Sequence, residues 1–130
     1  MEIKKYTGSA IFICGILSKI KSSHIIINTT IDRAILRGNE LVIDIVECDE
    51  QASGLIKLYS NDKFSFYGTF TYTDDTKPSA EVKVTWYENN NSVLLKGIWK
   101  ESPDEWTVMI HLKAVLLFLF FPNFLTIYQV

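Results

Sequence analysis

Two histidines, His24 and His111, and two cysteines, Cys14 and Cys48, are the side chains here best suited to proton transfer, metal ligation or nucleophilic attack. Their spacing argues against all three. A zinc site draws its ligands from closely paired cysteines and histidines, and a catalytic thiol needs a base and a group to orient that base. These four residues are scattered singly along the chain. Each histidine falls on a polar position of an alternating segment, where an imidazole is ordinarily a surface group. The cysteines read as free, buried thiols, too few for a disulfide framework. No Gly-x-Ser-x-Gly or Ser-x-x-Lys elbow with a helix following it occurs, and no glycine-rich phosphate loop. Glu40, Asp44, Glu47, Asp49 and Glu50 are strung along a strand and its following turn. A calcium loop instead places carboxylates at close alternate spacing around a glycine. The acidic run therefore reads as a solvated edge or, if functional, a docking strip for a basic protein partner. The expectation is a protein that is not an enzyme and uses neither metal nor cofactor.

Aromatic side chains are the remaining chemical resource. Phe64, Phe66, Phe70, Tyr72, Trp86, Trp99 and Trp106 all fall on one side of an alternating pattern. In a small barrel such a set either fills the interior or lines a cavity for one small ligand. The candidate ligand-binding residues are Phe66, Phe70, Tyr72, Trp86, Trp99 and Trp106, with Arg33, Arg37 or a lysine at the mouth. A flat apolar or heterocyclic small molecule is the ligand that suits such walls.

The elements that must hold these rings are strands. From Lys63 to Lys113 the alternation is nearly unbroken: Phe66, Phe70, Val82, Val84, Leu95, Val108 and Ile110 face one side, and Thr69, Glu81, Lys83, Lys96 and His111 the other. One apolar and one wet face marks antiparallel pairing. Three stretches share a pattern, Gly54-x-Ile56-x-Leu58, Gly68-x-Phe70-x-Tyr72 and Gly97-x-Trp99, each followed by a turn-forming residue at Asn61, Asp75 or Asp104. Gly38-Asn39 supplies a tight hairpin turn. Ile25 and Ile27, then Leu41, Ile43 and Ile45, read as further strands, and the segment from Ala10 to Ile20 tilts toward strand through its isoleucines. The fold class predicted is all-β, an antiparallel meander of about eight strands. Glycines on its inward face let a sheet bend, so the meander closes into a small barrel.

At 130 residues the chain suits one domain. With 48% hydrophobic and 13% aromatic residues it is not disordered, and a net charge of -2 leaves no electrostatic footprint for nucleic acid, so no nucleic-acid partner is expected. A nucleic-acid role would need a local basic face. Residues 1–113 are read as the barrel domain and residues 114–130 as an apolar tail. The tail, AVLLFLFFPNFLTIYQV from Ala114 to Val130, has neither charge nor alternation. A last strand plus a plug or lid over the barrel's end, a membrane anchor and an oligomer interface are its competing readings. The apolar run after Lys4 and Lys5 is taken as the first strand and not as an export signal. The location expected is cytoplasmic, with membrane association through the tail as the alternative.

The strand count and the Gly-x-Trp strand followed by Trp106 resemble small up-and-down barrels of the lipocalin and avidin kind. The stretches from Phe64 to Tyr72, Val93 to Glu101 and Glu105 to Leu112 carry this likeness. A narrower likeness is to the compact β-barrel sensor module of bacterial antiphage effectors that bind cyclic nucleotides, although those carry transmembrane helices ahead of the barrel. Either resemblance implies ligand or partner binding without catalysis, and neither transfers a site residue.

Overall fold

A computed structural model of the chain describes residues 3–14, 25–46, 53–74, 78–102, 104–121 and 124–129, with side chains over 3–11, 28–45, 53–74, 78–102 and 104–115. The elements are β1 (Ile3–Cys14), β2 (Ile25–Arg37), β3 (Glu40–Val46), β4 (Gly54–Tyr59), β5 (Ser65–Tyr72), β6 (Ala80–Glu88), β7 (Ser92–Glu101), β8 (Asp104–Phe121) and β9 (Phe124–Gln129). Each strand pairs antiparallel with the next, and β8 also pairs with β1, from Tyr6↔Ala114 to Cys14↔Trp106. The first eight strands are therefore a closed antiparallel barrel, as the alternation predicts.

Period-two patterning sends one face inward. Ile43, Ile56, Leu58, Val82, Leu95, Val108, Ile110 and Leu112 are fully buried and form an aliphatic middle layer. Burying each such side chain contributes about 1.5–3 kcal/mol. Many outward positions are polar, with Lys57, Thr69, Glu81, Lys83, Lys96 and Lys100 exposed, although Tyr59, Tyr67 and Ile98 are exposed there too. A barrel in lipid would present an apolar outer band there. No helix among the described residues is long and apolar enough to cross a membrane.

Closure rests on close backbone approach. A Cβ on Gly68 would stand 1.8 Å from the Lys57 carbonyl oxygen, and one on Gly97 1.9 Å from that of Lys83. Neighbouring strands can coil this tightly only where the inward side chain is missing. Gly8, which the glycine pattern of the later strands does not include, does the same against His111 at 1.8 Å. A second device is a bulge in β2. Its register slips by one residue between Ile31 and Arg33 against β3 and between Ile31 and Ala34 against β1, so Ile31 and Ala34, three apart, both point inward. This break in period hid the second half of β2 from sequence reading.

One difference from the sequence reading concerns the end of an element. Phe64, assigned to the buried face, is 63% exposed. It precedes β5 in a turn whose Lys63 has a left-handed backbone (φ 72°), which swings the ring outward. The tail is strand: β8 continues past Ala114 and, from Val115↔Gln129 to Phe121↔Phe124, pairs with β9 as a hairpin. Among the described residues β9 is its one ladder partner there.

Gly97→Ala is expected to destabilise the fold by about 1–3 kcal/mol, because the new methyl must displace backbone and not a flexible side chain. The urea midpoint measures this. Gly38→Ala, at a turn glycine with φ 64° and open space around it, is expected to cost less, about 1 kcal/mol.

Candidate ligand site at the barrel mouth

Chain order places the turns at residues 38–39, 60–64 and 89–91 at one end of the barrel. Two are tied together. The Ser60 N–H donates to the Asn39 carbonyl at 3.0 Å, and the Lys63 N–H donates to Ser60 Oγ at 2.7 Å. The Ser60 hydroxyl donates to Asp62 Oδ1 at 3.1 Å, and that oxygen also accepts the Phe64 and Ser65 N–H groups at 2.8 Å each. Ser60 is buried, with every polar demand met inside this lattice. The backbone donors of Ser65 and Phe64 hold the Asp62 carboxyl below the ordinary aspartate range.

Within this rim lies a recess of about 320 Å³. Phe66 and Trp86 form an aromatic wall, Leu36 an aliphatic one, and Lys4 and Lys63 stand at the edge. The Trp86 ring stacks on Phe66, with centroids 5.4 Å apart and planes at 29°, and meets Tyr6 edge-on at 6.2 Å. Its indole N–H donates to Glu88 Oε1 at 2.5 Å. The ring is thus fixed in orientation while remaining only half-buried.

The six candidate rings do not share one chamber. Phe66 and Trp86 line the mouth, whereas Phe70, Tyr72, Trp99 and Trp106 lie toward the opposite end. There the Phe70 ring packs on Tyr72 at 4.6 Å and on Trp99 at 4.7 Å, and Trp106 pairs with Trp99 in register. Glu101 joins the group: it accepts from the Tyr72 hydroxyl at 2.8 and 3.0 Å and from the Trp99 indole N–H at 2.8 Å. Between the two aromatic ends sits the aliphatic layer. The physical reason is the indole N–H, which needs an acceptor that an aliphatic layer cannot supply. A sequence signal was present in Trp86-x-Glu88 and Trp99-x-Glu101, where spacing two on a strand puts ring and carboxylate on one face.

Of the expected mouth cations, lysines occupy the rim. Arg33 instead reaches Asp44 at 3.8 Å, across β2 and β3. His111 is exposed on the outer wall. His24, Cys48, Glu47, Asp49 and Glu50, and the Cys14 side chain, lie outside the described residues. Among those described, no three His, Cys, Asp or Glu side chains gather as metal ligands. Sequence reading missed Lys4, Asn39 and Ser60. The Gly38-Asn39 and Asn61-Asp62 turns were legible, but their meeting was not.

A carboxyl held low binds its proton late. Its grip on the turn is in force above the unfolded value of about 3.9 and is lost as pH falls through the lower folded value. The amide shifts of Phe64 and Ser65 are thus expected to titrate together below about pH 3.9, and Asp62→Asn to abolish that titration, read by NMR. In comparisons with known proteins, the chain matches no family model and no curated relative.

Proposed function

We propose that this barrel is a non-enzymatic binding module that takes a small flat apolar or heterocyclic ligand at its mouth. The observation that carries this reading is the half-buried Trp86 stacked on Phe66, beside a recess of about 320 Å³ with Lys4 and Lys63 at its edge. Ligand pockets run from about 300 to 1,000 Å³, so the recess is of a size for a ligand of one or two rings. An offset ring stack contributes about 0.5–1.5 kcal/mol beyond area burial. The two ammonium groups favour a ligand with an anionic substituent. Of the sequence candidates, Phe66 and Trp86 contact the ligand in this reading, while Phe70, Tyr72, Trp99 and Trp106 stabilise the far end. The alternative, a structural or protein-interaction domain with a filled core that docks through its acidic strand or apolar tail, draws support from the densely filled aliphatic layer.

Trp86→Ala is expected to weaken binding of a flat aromatic anion at least ten-fold while shifting the urea midpoint little. Trp99→Ala is expected to do the reverse, costing about 3–5 kcal/mol of stability and leaving affinity intact in the fraction that remains folded. Lys63→Ala should weaken the anion and not its neutral analogue. A panel of fused-ring carboxylates and sulfonates, titrated against tryptophan fluorescence, makes the measurement. No response from any member, or equal affinity losses for Trp86→Ala and Trp99→Ala, would refute the mouth as the site.

A further inference from the structure

The outer wall carries a second feature, independent of the mouth. Register aligns Tyr59, Tyr67, Lys83 and Ile98 in one row across β4, β5, β6 and β7. Lys96 lies on the next row beside Thr85, and Lys57 precedes Tyr59 by two on the same face. Tyr59, Tyr67 and Tyr87 are 50%, 53% and 54% exposed, so half of each side chain is open to a partner. Lys57, Lys83 and Lys96 are exposed too, and none forms an ion pair among the described residues. Acidic groups also occupy this face: Glu40 meets Tyr59 from β3, and Glu81 shares a row with Lys57, Thr69 and Lys100, two residues from Lys83 on β6. With strands about 4.8 Å apart, the row from Tyr59 to Ile98 spans about 14 Å.

We propose that this face of β4–β7 is a docking platform for single-stranded nucleic acid. A phosphodiester chain brings one negative charge and one π-face per residue. The platform interleaves unpaired lysines with exposed tyrosine rings in the same proportion. Sheets that bind single strands work this way, with aromatic side chains stacking two or three bases and cations following the backbone. An acidic peptide would satisfy the lysines but leave the rings unused, which is why the nucleic acid is favoured. The net charge of -2 does not oppose it, because affinity depends on the local potential where the strand lies. Asp32 lies on β2, two strands from β4, whereas Asp44 on β3 pairs with Leu55 of β4 and lines a groove together with Lys57 and Thr69, so the lysines outnumber the acids on this face without being remote from them.

The test is fluorescence anisotropy with labelled twelve-residue oligothymidine and oligouridine, a duplex of the same length, and a poly-glutamate peptide, each over a range of salt. Single strands are expected to bind most tightly. Tyr59→Ala and Tyr67→Ala should each weaken them roughly five- to hundred-fold without changing the salt slope. Lys83→Ala and Lys96→Ala should each reduce that slope by about 0.7. These positions are exposed, and circular dichroism verifies that the variants fold. Absence of single-strand binding, equal binding of poly-glutamate, preference for duplex, or indifference to both tyrosine substitutions would each overturn the proposal. Trp86→Ala serves as the control: it should leave strand binding unchanged, so this reading and the mouth reading fail separately.

Discussion

Everything in this molecule depends on neighbouring backbones approaching where inward side chains are missing. At Gly8, Gly68 and Gly97 a Cβ would lie 1.8–1.9 Å from a carbonyl oxygen of the adjacent strand. These approaches coil the sheet until β8 reaches β1, and closure leaves neither strand as an exposed edge. The resulting interior is narrow enough for aliphatic side chains to fill, which is where eight-stranded barrels divide between packed cores and ligand cavities. Here the middle is packed with aliphatic side chains and the aromatic rings are displaced toward the ends.

Packing chemistry explains that displacement. An indole brings a large apolar body and one N–H that must be satisfied. Trp86 and Trp99 therefore sit one at each end, each donating to a carboxylate two residues along its strand. At the far end Tyr72 also donates to Glu101, and Phe70 packs on both aromatic rings, so the group is occupied with holding itself together. At the mouth the Trp86 ring is held in orientation but left partly exposed, and the turn lattice of Ser60 and Asp62 sets Lys63 beside it. Similar spacing in sequence thus yields a structural clamp at one end and an accessible surface at the other.

The closed sheet also sorts charge. Alternation sends lysines outward, but which of them become neighbours depends on register across four strands. Lys83 comes to lie beside Tyr67 through pairings between residues far apart in the chain. An acidic formal charge overall is compatible with a local gathering of lysines and tyrosines on β4–β7, even though Glu40 and Asp44 of β3 flank it and Glu81 stands within it.

Local pattern was enough to establish the strand class, the antiparallel pairing, the apolar face and the closing role of Gly54, Gly68 and Gly97, since period-two alternation and missing side chains are properties of short segments. It failed at Phe64, where a left-handed Lys63 overrides alternation, and at the bulge in β2. The six aromatic candidates were found as a set and wrongly imagined around one space. Their division into two ends, and the meeting of Asn39 with Ser60, Lys4 with Lys63 and Tyr67 with Lys83, required the tertiary structure. Sequence alone determined what each strand would bury; closure decided which strands meet, because a contact between distant segments depends on register and curvature that no single segment contains.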